Sequence, residues 1–156
     1  MQRLRKVLGF LLWVLVPFLA ASVGALFGPD AWYESLAKPA LTPPGYVFGP
    51  VWTMLYATMG VAAWMVWSRK GFSGARWALG LFFAQLLLNG AWTWLFFGLH
   101  LPLVALVDIV LLWALILLTL IAFWRIRRAA GALLIPYLAW VSFAALLNAQ
   151  FWWLNR

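Results

Sequence analysis

Residues 102–124 read PLVALVDIVLLWALILLTLIAFW, and Asp108 is the only charged side chain among them. Crossing a hydrocarbon core of about 30 Å takes roughly 20 apolar residues in a helix at about 1.5 Å per residue, so this run is long enough to span a bilayer. A spanning strand needs only about 10 residues of strict alternation. This run is longer and apolar on every side, so it reads as a helix. Four further runs share its character, at about 7–27, 47–68, 77–97 and 131–154. The whole chain is 67% hydrophobic and 9% charged, against about a quarter charged in soluble domains. The expected fold is an all-α membrane protein, a single domain over residues 1–156 built as a bundle of five transmembrane helices. Its solvent is the lipid bilayer.

The basic residues support that topology. Arg3, Arg5 and Lys6 precede the first run, Arg69, Lys70 and Arg76 lie between the second and third, and Arg125, Arg127 and Arg128 lie between the fourth and fifth. In a five-span serpentine these nine of the eleven basic residues share one side, with Lys38 and Arg156 on the other. The positive-inside rule then places the N-terminus in the cytoplasm and the C-terminus across the membrane. The same rule accounts for the net charge of +8 without a nucleic-acid partner. A second reading of the first run is a cleavable signal peptide, since basic residues and an apolar stretch lead to Ala20-Ala21-Ser22. Length favours retention, because the apolar run continues to Phe27, beyond the roughly 7–15 residues of a signal core.

Residues 28–46 form the one long connection. Asp30 is a fair N-cap, Trp32 and Leu36 fall on one face of a short helix, and Glu34 can pair with Lys38. Pro39 stops that helix, and Pro43-Pro44-Gly45 forces an extended segment and a turn. The segment, Leu41 included, is expected to fold as a lid over the noncytoplasmic mouth of the bundle.

The chain has 13 tryptophans. Trp67, Trp77, Trp124, Trp152 and Trp153 suit the aromatic belt at the membrane interface. Trp52, Trp92, Trp94 and Trp140 share their depth with polar residues on neighbouring spans, which makes them candidates for a pocket wall, with packing or outer anchoring as the alternative. Counting inward from the noncytoplasmic end, Asp108 and Asn148 lie about 9 Å deep, Asn89 about 13 Å, and Tyr56 and Gln85 near the midplane. Lipid offers no hydrogen bonds, so these groups must face protein or trapped water. Asp108 is either functional or an interhelix lock, with Asn89 or Asn148 as its expected partner. On the third span, Gly80 and Ala84 form a small-xxx-small pair that would serve either dimerisation or packing within one bundle.

Catalytic patterns are lacking. The chain has no cysteine and one histidine, His100, and neither a metal cluster nor a nucleophile–base pair is apparent, so no cofactor is required. No internal repeat suggests a secondary transporter. What remains is an indole-lined cavity with a few amides and one carboxylate, suited to a flat, largely apolar molecule such as a porphyrin or a sterol.

Across its whole length the chain resembles the translocator protein or tryptophan-rich sensory protein family, also called peripheral benzodiazepine receptors. The resemblance is carried by Trp32-Tyr33, Leu36, Lys38-Pro39 and Pro43-Pro44; by Gly49-Pro50-Val51-Trp52 and Leu55-Tyr56; by Gln85, Asn89, Trp92 and Phe96-Phe97-Gly98; by Ala105-Leu106-Val107-Asp108; and by Pro136-Tyr137, Trp140 and Leu147-Asn148. It implies a five-helix bundle, usually a homodimer, that binds porphyrins such as protoporphyrin IX or haem. In animal members it implies sterol and benzodiazepine-site ligands as well. It also implies a sensory or carrier role rather than ordinary enzyme chemistry. The alternative is light- and oxygen-dependent porphyrin breakdown, with Trp52 and Trp140 as the candidate catalytic residues. Family members occupy bacterial envelopes and mitochondrial outer membranes, and the bacterial envelope is the expectation here. Two departures stand out. Ala40-Leu41 replaces the tryptophan usual two residues after Lys-Pro, and Ala149 and Trp153 occupy the tyrosine and basic positions of a proposed cholesterol motif.

Overall fold

The computed structural model describes the backbone of residues 2–156 and the side chains of Leu4 and residues 6–156. The Arg3 and Arg5 side chains invoked for topology lie outside the described residues. The elements are α1 (Gln2–Gly24), α2 (Ala31–Ser35), α3 (Gly45–Gly74), α4 (Arg76–Thr93), a wider π-type turn (Trp94–Gly98), α5 (Pro102–Ile126), α6 (Arg128–Ala132) and α7 (Ile135–Leu154). No strand occurs among the described residues, as the hydropathy pattern predicts.

Four segments are long and apolar enough to cross a membrane, namely Lys6–Gly24, Arg76–Gly98, Pro102–Ile126 and Arg128–Leu154. Helix α3, expected over 47–68, runs for 30 residues but is not one of these four. Its apolar residues are interleaved with Tyr46, Trp52, Thr53, Tyr56, Thr58, Trp64, Trp67 and Ser68, which dilute its hydropathy. Its inner face is nonetheless tightly packed, with Met59, Ala62, Ala63 and Val66 wholly enclosed.

Helix ends follow local chemistry. Pro102 and Pro136 lie at the first turns of α5 and α7, where a missing N–H costs nothing. Helix α3 is broken at Gly71, whose φ of 64° and ψ of −175° suit a residue without Cβ. The break lets Ala75 turn the chain into α4.

Around the bundle α1 packs on α3 and α4, α4 on α5, and α5 on α7, while aromatic contacts Trp52–Tyr137 and Phe48–Trp140 bring α7 back to α3. The α1–α3 contact is backbone to backbone. A Cβ on Gly60 would stand 2.5 Å from Val14 Cα and 2.7 Å from the Trp13 carbonyl. On the opposite side the Trp113 indole donates to Ser142 Oγ at 2.8 Å and joins α5 to α7. The core is continuous from Trp13 and Phe82 to Phe123, Leu134 and Tyr137. A smaller cluster of Phe96, Ala105 and Phe151 receives Trp32, Tyr33 and Leu36 from the connection between α1 and α3.

Candidate ligand-binding cavity

Helices α1, α3, α4, α5 and α7 and the connection carrying α2 enclose a cavity of about 810 Å³. Its wall includes Trp52, Tyr56, Asn89, Trp92 and Trp140, with Ile109 and Leu112 from α5 and Ala20, Ala21 and Gly24 from α1. Pockets for drug-sized ligands run to about 300–1,000 Å³, mostly apolar with a few placed polar groups, and this one has that make-up.

The aromatic wall is ordered by stacking. Trp52 stacks on Tyr56 at 5.3 Å, one helical turn along α3. Trp92 stacks on Phe96 at 5.2 Å, likewise one turn apart on α4 and the π-type turn. Trp140 meets Phe48 edge-on at 5.9 Å.

Behind this wall runs a chain of hydrogen bonds. The Tyr56 hydroxyl donates to Asn89 Oδ1 at 2.7 Å, Asn89 Nδ2 donates to the Tyr137 hydroxyl at 3.1 Å, and Tyr137 donates to Gln85 Oε1 at 2.7 Å. Gln85 Nε2 ends the chain near Met59 Sδ, 3.9 Å away. The four side chains satisfy one another across α3, α4 and α7, as polar groups out of reach of water must. A second link joins α4, α7 and the start of α5. There the Trp92 indole donates to Asn148 Oδ1 at 2.9 Å, and Asn148 Nδ2 donates to the Pro102 carbonyl at 2.8 Å.

Nine residues were expected at the site, and the structure sorts them. Trp52, Tyr56, Asn89, Trp92 and Trp140 line the cavity, while Gln85 and Asn148 stand behind the wall and brace it. Trp94 does not reach it, because two residues beyond Trp92 the helix has turned about 200°, and its ring is 45% exposed on the outer face. Asp108 is buried and does not line the cavity. Its Oδ2 has no hydrogen-bond partner, and neither expected amide reaches it, because Asn89 is taken by two tyrosines and Asn148 by Trp92 and Pro102.

Asp30 caps α2, accepting the Tyr33 amide at 3.0 Å, and its other oxygen lies 3.0 Å from His100 Nε2. The Tyr33 amide, followed by His100, holds the Asp30 carboxyl below its ordinary value. His100 stacks on Trp32 at 4.3 Å, and Lys38 pairs with Glu34 at 3.0 Å. Tyr33, Glu34, Lys38, Pro39, Thr42 and Pro43 form the cavity wall on this side. Leu41 points outward and is 67% exposed, and Pro44 caps α3.

Three contributors were absent from the expected set. Tyr137 is the hub of the hydrogen-bond chain, and its hydroxyl inside an apolar span was a visible signal. Thr42 Oγ1 is buried on the cavity side without a partner. Asn155 binds the backbone of Ala37, a contact between residues 118 apart for which local sequence carries no signal. On the outside, Gly80 is exposed, and a Cβ there would meet nothing within 4 Å, so it does not serve packing within this bundle.

Comparison with known proteins places this architecture. The family model described as TspO/MBR matches residues 13–154. The chain is 46% identical to a tryptophan-rich protein TspO of Chlorobaculum tepidum, over 81% of this chain and 82% of that one. It is 40% identical to a translocator protein of Homo sapiens, over 88% and 85%. It is also 40% identical to a tryptophan-rich sensory protein of Cereibacter sphaeroides, over 92% of each. With its apolar spanning helices and a family match across nearly its whole length, the chain is an integral membrane protein that belongs to the TspO/MBR family.

Proposed function

We propose that the protein is a membrane receptor or carrier for porphyrins, protoporphyrin IX or haem-pathway tetrapyrroles, with sterol-like and benzodiazepine-site molecules as further ligands and with a sensory role. The observation that carries this reading is the cavity of about 810 Å³ walled by Trp52, Tyr56, Trp92 and Trp140. Indole and phenol faces stack on an extended ring system, and the Asn89 amide and Tyr56 hydroxyl orient it. At the mouth, Lys38 and the unpartnered Thr42 hydroxyl suit the acidic side chains of a porphyrin.

In this reading α3 also crosses the membrane, making five crossings, the N-terminus is cytoplasmic, and the segment between α1 and α3 covers the far mouth as a lid. The host membrane is a bacterial envelope. Gly80 and Ala84 on the open face of α4 form the contact of a homodimer. The test is saturable tryptophan quenching by protoporphyrin IX in proteoliposomes. Trp52→Phe with Trp140→Phe is expected to weaken binding about tenfold or more, since each lost stacking contact is worth about 0.5–1.5 kcal/mol. Unchanged affinity rules out this cavity as the site.

The position of Trp52 and Trp140 on the cavity wall favours one second reading, light- and oxygen-dependent porphyrin breakdown. An indole in contact with an excited porphyrin can donate an electron to it. Multiple turnovers to a defined product under light support this reading, and a stoichiometric, self-damaging reaction rejects it.

A further inference from the structure

Helices α1 and α4 both have the length and apolarity of membrane spans, and along their shared outer edge lies a second hollow of about 380 Å³. It is lined by Ala20, Val23 and Phe27 from α1 and the turn after it, and by Leu86, Leu87, Gly90, Ala91 and Trp94 from α4 and its extension. Leu87, Val23 and Trp94 are 75%, 57% and 45% exposed, so the hollow faces the bilayer. Ala20, Phe27 and Gly90 line both this groove and the large cavity, and they form the partition between the two.

That partition is thin. A Cβ on Gly90 would meet only the Ala20 carbonyl, at 3.7 Å, so no side chain fills the seam at that level. Higher up, Phe27 closes the seam, its ring leaning on Gly98 where a Cβ would stand 2.9 Å from the Phe27 Cδ1. Phe27 sits in the turn after α1, held by a backbone bond from its amide to Gly24. Hydrogen bonds between side chains tie α4 to α3 and α7, whereas none crosses from α1 to α4 among the described residues.

We propose that the seam between α1 and α4 is the side portal through which a flat apolar ligand passes between the bilayer and the cavity, with Phe27 as its gate and Gly90 as its sill. The proposal rests on the reading of the cavity as a ligand site. A molecule dissolved in lipid reaches the groove without leaving the hydrocarbon, so only the Phe27 ring and the van der Waals contact of two helices need to yield. The route beneath α2 would instead break the Asn155–Ala37 and Asp30–His100 contacts and expose the apolar ring system to water.

The chain has no cysteine, so a disulfide across the seam can be introduced cleanly. A Cβ on Gly24 would lie 3.4 Å from Thr93 Cβ, close to the roughly 3.5–4.5 Å of a disulfide, which suits Gly24→Cys with Thr93→Cys. In proteoliposomes, saturable quenching by protoporphyrin IX is followed in time with this variant oxidised and then reduced. Oxidation is expected to slow association and dissociation alike by tenfold or more relative to the same variant reduced, and reduction to restore both rates. Ala91→Trp, which fills the groove from a position outside the cavity wall, is expected to slow both rates in the same way. Equal rates in the oxidised and reduced variant, or wild-type rates in Ala91→Trp, overturn the portal while wild-type binding keeps the cavity reading intact. Failure of the wild-type protein to bind overturns both.

Discussion

Asn155 grips the backbone of Ala37 with both halves of its amide. Asn155 Oδ1 accepts the Ala37 amide at 2.8 Å, and Asn155 Nδ2 donates to the Ala37 carbonyl at 3.0 Å. The end of α7 is thereby tied to the segment that walls the cavity between α1 and α3. Asn155→Ala removes both bonds at a cost of about 1–3 kcal/mol, at the low end because the site is exposed. Amide exchange over residues 31–42 is expected to quicken while the core of α5 stays protected. Unaltered exchange in that segment shows that the aromatic contacts alone hold it.

Tyr137 and Tyr56 both touch Asn89, yet their hydroxyls differ in consequence. Tyr137→Phe strands Gln85 Oε1, enclosed behind the cavity wall, and leaves Asn89 Nδ2 without its acceptor. A loss of about 1–3 kcal/mol is expected, read as a lower unfolding midpoint in detergent. Tyr56→Phe is expected to cost less, because Asn89 faces the cavity and keeps its bond to Tyr137. The reverse order argues against Tyr137 as the hub.

Two glycines on neighbouring helices should respond oppositely to enlargement. Gly60→Val presses its side chain onto the α1 backbone at Val14 and Trp13, and overpacking of this kind costs about 1–3 kcal/mol or more. At exposed Gly80 an added Cβ meets nothing within 4 Å, and Gly80→Leu should leave the midpoint nearly unchanged. In the dimer reading Gly80→Leu instead shifts the protein to monomer in detergent, and a variant that stays dimeric removes this face from the interface.

The cap of α2 carries a pH signature. The Asp30 carboxyl is held below its ordinary value, first by the Tyr33 amide and then by His100. A carboxyl lowered by folding stabilises the fold at every pH above its unfolded value of about 3.9, and that contribution disappears only as pH falls through the lower folded value. Protection of the Tyr33 amide should therefore hold from neutral pH down to about 4 and decline below it. Loss of protection already at pH 5 contradicts a cap built on the ionised carboxyl.

Much of the fold was legible because the bilayer imposes simple demands. The expected run at 102–124 is the helix Pro102–Ile126, and that at 77–97 is Arg76 to Gly98. The pattern of Asp30, Glu34 and Lys38 marked the cap and ion pair around α2. Helix α3 was harder to bound, since its polar end runs on past Trp67 to a glycine break that hydropathy does not register. At the site, depth counting gave Trp52, Trp92, Trp94 and Trp140 polar neighbours at matching depth but could not say which way Trp94 and Asp108 turn.

Composition and periodicity alone determined that this chain folds as membrane helices, because in hydrocarbon a backbone must satisfy its own hydrogen bonds and a long apolar run has no other way to do so. Only the tertiary structure decided which polar groups meet. Pairing depends on the rotation of each helix about its axis, which is set by contacts such as Gly60 against Val14. The same packing gave the Asn89 amide to two tyrosines and left the Asp108 carboxylate outside the cavity wall.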